Sequence, residues 1–158
     1  MNKLVTRSEL PSILGKMRGQ GRKIVLAGGC FDVIHVGHVR YLEEAKQFGD
    51  ILVVGINGDE AVRKMKGDGR PYIKQEERAE ILSAFSFVDF VVIFEETTTK
   101  NLLLELKPDI YAKGTDYKAD TVPWHDLVEG YGGKVVITGD AKSHSSTETI
   151  ERMKKPFY

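Results

Sequence analysis

Five short apolar runs, each followed by a stretch of helical periodicity, predict an α/β protein. The alternation implies a doubly wound, five-stranded parallel sheet with right-handed crossovers and helices on both faces. A second observation places the ligand. The first run leads through Gly28 and Gly29 into His35-Val36-Gly37-His38, at the carboxyl edge where such sheets bind their ligands. A third is negative: the fingerprint G-x-G-x-x-G is absent, which argues against a dehydrogenase.

The runs are residues 24–27, 51–56, 88–94, 110–112 and 135–138. Most are β-branched and almost continuously apolar, as strands buried on both faces must be. Helices are expected at 39–48, 60–64, 75–85, 98–106, 123–130 and 146–154. Residues 1–22 read as a helical extension. Thr6 and Glu9 have the spacing of a capping box, and Leu10, Ile13, Leu14 and Met17 form an apolar stripe that Gly19 and Gly21 end. This extension is expected to pack against the α/β core at 23–158 without chemistry of its own, the whole of 1–158 making one domain.

Composition narrows the partners. Lysine plus arginine and aspartate plus glutamate both number 23, so the formal net charge is zero and nothing global attracts a nucleic acid or a membrane. Anion binding must come from local clusters. Cys30 is the one cysteine, which excludes an internal disulfide and a cysteine-based zinc site. No apolar stretch reaches the roughly 18 residues of a membrane span, and the first residues lack an apolar signal core. A cytoplasmic location is the expectation.

The stretch after the first run suits a nucleoside triphosphate. Gly28 and Gly29 let backbone come close to phosphate oxygens. The helix that follows offers free N–H groups and a partial positive charge. His35 and His38 can donate hydrogen bonds to a phosphorus centre gaining charge. Beside them, Cys30 reads as a small packing residue, Phe31 as a core residue or a neighbour of the ribose, and Asp32 as a residue that fixes the turn.

Further along, Lys64 and Lys66 stand in a basic run with Arg63, followed by Gly67-Asp68-Gly69-Arg70-Pro71. A flap over residues 64–71 would bring both lysines to the phosphates and let Arg70 grip a sugar phosphate as a bidentate fork. Arg78, at a helix start, is a substrate contact or half of a surface i,i+4 pair. Lys113-Gly114-Thr115-Asp116-Tyr117 follows a strand, where a glycine lets backbone groups read a base edge. Ser145, Ser146 and Thr147 open the last helix, and their hydroxyls suit the outer phosphates. His144 just before them is a further phosphate donor or a surface histidine, while His125 and Trp124 read as structural.

His35–His38, 66–71, 113–117 and 145–150 occur in an order and spacing that resemble the nucleotidyltransferases with the His-x-Gly-His signature. Within that family the Lys-Gly-Asp-x-Arg-Pro and Lys-Gly-x-Asp-Tyr stretches are most similar to the bacterial D-glycero-β-D-manno-heptose 1-phosphate adenylyltransferases. The likeness runs from about residue 23 to 153. It implies a Rossmann-like catalytic core that moves AMP from ATP to the heptose 1-phosphate, giving ADP-heptose and pyrophosphate for lipopolysaccharide. It also implies the roles. His35, His38 and Lys66 are catalytic. Gly28, Gly29, Cys30, Phe31, Lys64, Lys113, Gly114, Asp116, Ser145, Ser146 and Thr147 join the histidines on the nucleotide, and Asp32, Arg70, Arg78 and Tyr117 meet the sugar phosphate.

Magnesium is expected to arrive with ATP, with no dedicated protein metal site. A separate sugar kinase would supply the acceptor. A homodimer is expected, with Phe85-Ser86-Phe87 and Phe90 as apolar contact surface. Glu148 departs from the family pattern by standing where a second threonine is usual. Two alternatives remain open: a cytidylyltransferase for glycerol 3-phosphate or a similar alcohol phosphate, and a nucleotide-binding regulatory module without turnover. The run Lys64-Met65-Lys66-Gly67 faintly resembles the lysine loop of class I aminoacyl-tRNA synthetases, but it comes too early in the chain for that reading.

Overall fold

The computed structural model describes residues 2–141 and 145–156. Its five strands are β1 (Ile24–Gly29), β2 (Ile51–Asn57), β3 (Phe90–Phe94), β4 (Ile110–Lys113) and β5 (Lys134–Ile137). They form one all-parallel sheet in the order β3-β2-β1-β4-β5. The order reverses between β1 and β4, which opens a crevice beyond their carboxyl ends. All seven residues of β2 are buried, because helices cover both of its faces. The doubly wound architecture expected from the sequence is the one observed.

The helices are α1 (Leu10–Gly19), α2 (Val36–Lys46), α3 (Asp59–Lys66), α4 (Gln75–Ser83), α5 (Lys100–Leu106), α6 (His125–Gly130) and α7 (Ser146–Met153). Two apolar layers hold them to the sheet. Leu10, Leu14, Leu102, Leu103, Leu106 and Val128 pack α1, α5 and α6 on one face. Tyr41, Leu42, Ala45, Ala79 and Leu82 pack α2 and α4 on the other.

Several boundaries differ from the sequence reading, each for a local reason. β1 runs on through Gly28 and Gly29, which are strand residues. Gly28 makes room for protein: a Cβ there would lie 3.1 Å from Thr99 Cγ2. β3 begins only at Phe90, since Val88 N–H turns back to the Phe85 carbonyl at 3.2 Å. α5 begins at Lys100 and leaves Thr97, Thr98 and Thr99 in the loop before it. A 3₁₀ turn at Ala119–Thr121 precedes α6.

The N-terminal capping box is present, with Thr6 N–H donating to Glu9 Oε2 at 3.1 Å and Glu9 N–H to Thr6 Oγ1 at 3.3 Å. The segment also does more than pack. Val5 N–H donates to the Val91 carbonyl at 3.0 Å and Val91 N–H to the Lys3 carbonyl at 2.8 Å, so the backbone of β3 is paired on its outer edge. Arg7 reaches Glu96 and Glu105, each at 2.6 Å. Of the residues proposed as dimer contacts, Phe90 is buried in the protein's own core, and Phe85 and Phe87 pack on each other at 5.4 Å. The contact expectation for Phe90 is therefore corrected.

Candidate active site

A cavity of about 570 Å³ lies over the carboxyl ends of the strands, a volume ordinary for a small-molecule site. The crossover at β1 and β4 gathers into it Gly28, Gly29, Cys30, Phe31, Asp32, His35, His38, Lys66, Arg70, Lys113, Gly114, Asp116, Tyr117, Ser145, Ser146 and Thr147. Two expected members, Lys64 and Arg78, do not line it.

The histidine pair is built into the start of α2, three residues earlier than the periodicity suggests. His35 is the N-cap, and its Nδ1 accepts from Gly37 N–H at 3.1 Å. His38 Nδ1 accepts from His35 N–H at 3.2 Å. A ring nitrogen that accepts a hydrogen bond carries no proton, so each neutral ring holds its hydrogen on Nε2. The rings stack with centroids 3.9 Å apart. Burial, and secondarily His35, pushes the His38 pKa down to about 4. At neutral pH His38 is thus an uncharged N–H donor of fixed tautomer on the cavity wall.

The turn before the pair supports it. Phe31 has φ 48°, an uncommon left-handed backbone for an aromatic residue. That backbone tucks its ring into the core beneath the histidines, 5.2 Å from His38 and stacked 6.5 Å from Tyr41. Tyr41 Oη in turn donates to the Ala112 carbonyl at 2.7 Å, tying α2 to β4. Cys30 Sγ lies 3.7 Å from Asn57 Oδ1, and burial pushes its thiol up, which keeps it neutral and fits the packing reading.

Asp32 is an anchor. Its carboxylate accepts from Arg70 Nε at 2.6 Å, Tyr72 N–H at 2.8 Å and Ile73 N–H at 3.1 Å, with only 1 % of the side chain exposed. Its expected contact with sugar phosphate gives way to this role. The loop after α3 is fastened to Asp32 at its far end, through Arg70, Tyr72 and Ile73. Arg70 lines the cavity from that pinned position. α3 extends to Lys66, so Lys66 stands at the helix end facing the cavity while Lys64 is exposed outside it.

Arg78 is the largest correction. It is fully buried, so neither a substrate contact nor a surface ion pair describes it. Nε donates to the Ile73 carbonyl at 2.9 Å, Nη1 to the carbonyls of Cys30 and Asn57, and Nη2 to Asp59 Oδ1 at 2.7 Å. It ties the carboxyl ends of β1 and β2 to the segment that carries Arg70.

On the far side, Lys113 ends β4 with its ammonium 5.2 Å from the Tyr117 ring centre. Burial lowers its pKa, which marks a charge held in low dielectric where an anion is worth most. Ser145 caps α7 by accepting from Glu148 N–H at 3.0 Å, and Ser146 Oγ donates to the Val33 carbonyl at 2.7 Å. The Ser146 bond fastens the start of α7 to the turn that carries the histidines. Glu148 does not line the cavity. His144 lies outside the described residues. His125 pairs with Asp126 and Glu129 at 3.3 Å, away from the cavity.

Sequence reading missed Asn57, Tyr41, Thr97–Thr99, Tyr111, Trp124 and Thr138, all of which line the cavity. The triple threonine and the lone tryptophan after Pro123 were visible signals. Thr98, Thr99 and Trp124 were absorbed into expected helices, and Thr97 stood just before one.

A switch-point crevice lined by neutral histidine donors and by Lys66, Arg70 and Lys113 defines a nucleotide-binding α/β enzyme class. Residues 26–152 match the family described as Cytidylyltransferase-like, and the chain belongs to that family of nucleotidyltransferases. It is 45% identical over 148 residues to the Bifunctional protein HldE of Geobacter sulfurreducens, covering 94% of this chain and 30% of that protein. It is 46% identical over 149 residues to the Bifunctional protein HldE of Desulfatibacillum aliphaticivorans, with 94% and 30% covered. The chain therefore spans about a third of the length of these curated relatives. Among solved structures, a lipopolysaccharide core biosynthesis protein from Thermoplasma volcanium is 31% identical with a TM-score of 0.66, covering 77% of this chain and all of that one. A pantoate-beta-alanine ligase from Francisella tularensis shares the fold, with a TM-score of 0.70 at 16% identity and coverage of 95% and 73%. Among the described residues no helix is long and apolar enough to cross a membrane.

Two expectations follow from the geometry. Replacing Arg78 by methionine strips three carbonyls and Asp59 of their donor, so urea denaturation should show a loss of about 3–5 kcal/mol; an unchanged midpoint would refute the tie. His38 is neutral in the fold but protonated in the unfolded chain below its ordinary value of 6.5. Its stabilisation is then complete above about pH 6.5 and lost as pH falls towards 4, on the order of 3 kcal/mol in all. Urea midpoints across that window should fall in the wild type and fall less in His38→Asn.

Proposed function

We propose that the protein is an adenylyltransferase that moves AMP from ATP to a sugar 1-phosphate, D-glycero-β-D-manno-heptose 1-phosphate, giving a nucleoside diphosphate sugar and pyrophosphate for lipopolysaccharide core synthesis. The observation that carries this reading is the histidine pair, whose Nδ1 atoms are both occupied as acceptors so that each ring is an Nε2–H donor. The relatives' names support the lipopolysaccharide assignment.

In this mechanism the acceptor's phosphate oxygen attacks the α-phosphorus of ATP. The new O–P bond forms as the bond from the α-phosphorus to the bridging oxygen breaks, and pyrophosphate leaves with that oxygen. The phosphate of a sugar 1-phosphate has its second pKa near about 6, so it is already ionised and requires no general base. The protein's contribution is position and charge stabilisation. His35 and His38 donate their Nε2–H groups to phosphate oxygens that gain charge. Lys66 and Lys113 approach the triphosphate from opposite sides, and Ser145 and Thr147 close its outer end. Gly28, Gly29 and Cys30 form the floor; Gly114 and Asp116 face the nucleotide, and Arg70 and Tyr117 the sugar phosphate.

Among the described residues no group of three or more histidine, cysteine, aspartate or glutamate side chains converges as a metal site. Mg²⁺ would arrive with ATP, held mainly by the phosphates themselves, and would supply charge neutralisation there. The chain acts as one nucleotidyltransferase domain, as a homodimer, on substrate made by a separate sugar kinase.

Pyrophosphate release measured with ATP, CTP, GTP and UTP, each against heptose 1-phosphate, glycerol 3-phosphate and ethanolamine phosphate, should be fastest with ATP and the heptose. A clear preference for CTP would make the protein a cytidylyltransferase, and release with no pair would leave a regulatory module. In the active pair, His35→Ala and His38→Ala should each lower kcat by about 10²-fold or more with little change in ATP affinity, since charge builds mainly in the transition state.

A further inference from the structure

The cavity has a wall that none of the phosphate chemistry uses. Thr97, Thr98 and Thr99 line it, beside Pro123 and Trp124. These residues rise from the face of the sheet that carries α5 and α6, whereas the histidines come from the face that carries α2. We propose that this wall is a subsite for a hydroxylated ring, the sugar of the acceptor, with the Trp124 indole against its C–H face and the threonine hydroxyls at its edge.

Three observations carry the proposal, which rests on the sugar-phosphate reading above. Trp124 has φ 71° and ψ 14°, a left-handed backbone that large residues rarely adopt and that tends to cluster where ligands are held. Its ring is steadied on one side by the core and by the Lys100 ammonium 5.3 Å from the ring centre, which also fixes it next to the threonine loop. The loop is braced from below. The Glu96 carbonyl accepts from Asn57 Nδ2 at 2.9 Å, and its carboxylate accepts from Arg7 at 2.6 Å and Asn101 Nδ2 at 3.1 Å. Thr99 is set in place by its hydroxyl, 2.8 Å from Tyr111 Oη.

The chemistry favours a sugar over a base. A hydroxyl can rotate to donate or accept, so a row of threonines matches a ring edge of hydroxyls that do the same. A base edge has fixed donors and acceptors and is read better by fixed groups, such as the backbone amides beside Gly114. The aromatic face supplies the apolar half of the contact at small entropic cost.

Trp124 is the only tryptophan in the chain, so its emission reports on the wall directly. Titration with heptose 1-phosphate, with and without magnesium and a non-hydrolysable ATP analogue, should change the emission saturably. The analogue alone should change it little. In pyrophosphate-release kinetics, Trp124→Ala should raise the KM for heptose 1-phosphate about 10-fold while the KM for ATP stays within about 2-fold. Trp124→Phe should retain most of the affinity, and Thr98→Val should raise the same KM without lowering the melting temperature. An emission change driven by the ATP analogue, or a Trp124→Ala effect confined to the KM for ATP, would give the wall to the base and overturn the proposal. So would active enzyme with no emission response to heptose 1-phosphate. If the wild type shows no turnover, the adenylyltransferase reading falls; the emission titration on the unmodified protein then still decides the subsite, a saturable response upholding it and a flat one ending it.

Discussion

A single buried guanidinium holds the reaction end of this sheet together. Arg78 holds its positive charge in a place no solvent reaches. Moving such a charge out of water costs several kcal/mol, and only a complete set of partners offsets it. The carbonyls of Cys30, Asn57 and Ile73 and the carboxylate of Asp59 are that set. Because those partners end β1, end β2, precede α4 and open α3, the geometry of four separate segments is fixed by one side chain. Asp32 extends the same tie to Arg70. The histidine turn, which leaves β1 at Cys30, starts from a point that cannot drift.

The cavity concentrates charge that the chain as a whole lacks. Formal net charge is zero, yet Lys66, Arg70 and Lys113 converge on one crevice. The two histidines add donors without adding charge. Keeping His38 neutral by burial avoids a further cation beside three others, and it leaves the hydrogen-bond geometry independent of pH near neutrality. The capping bonds at the start of α2 set both ring orientations before any ligand arrives. That is preorganisation obtained from helix geometry alone.

Much of the fold was legible because burial on both faces leaves a plain record: five continuous apolar runs gave five strands in their observed places. The His-x-Gly-His stretch likewise lies on the wall of the cavity. What could not be read depends on tertiary partners. Histidine is not a usual N-cap, so nothing in the sequence moves the start of α2 back to Val36. Arg78 among glutamines and glutamates reads as a surface residue until the carbonyls of two strands are known to face it. Gly28 looks like a turn glycine and is instead a strand residue that yields space to Thr99. Thr98 and Thr99 continue the helical pattern of α5, but α5 begins only at Lys100.

The pairing of residues 3–5 along β3 bears on where this molecule can be cut. The stretch that matches the family begins at residue 26, after this pairing segment. A chain begun just ahead of β1, at Lys23, would present the bare N–H and C=O groups of an apolar edge strand to its neighbours, the template from which sheet-to-sheet aggregation grows. It would also lose Arg7, and with it the brace under the threonine loop. The leading segment thus acts as both a selvedge that keeps the sheet from fraying into other copies and a strut beneath the cavity wall.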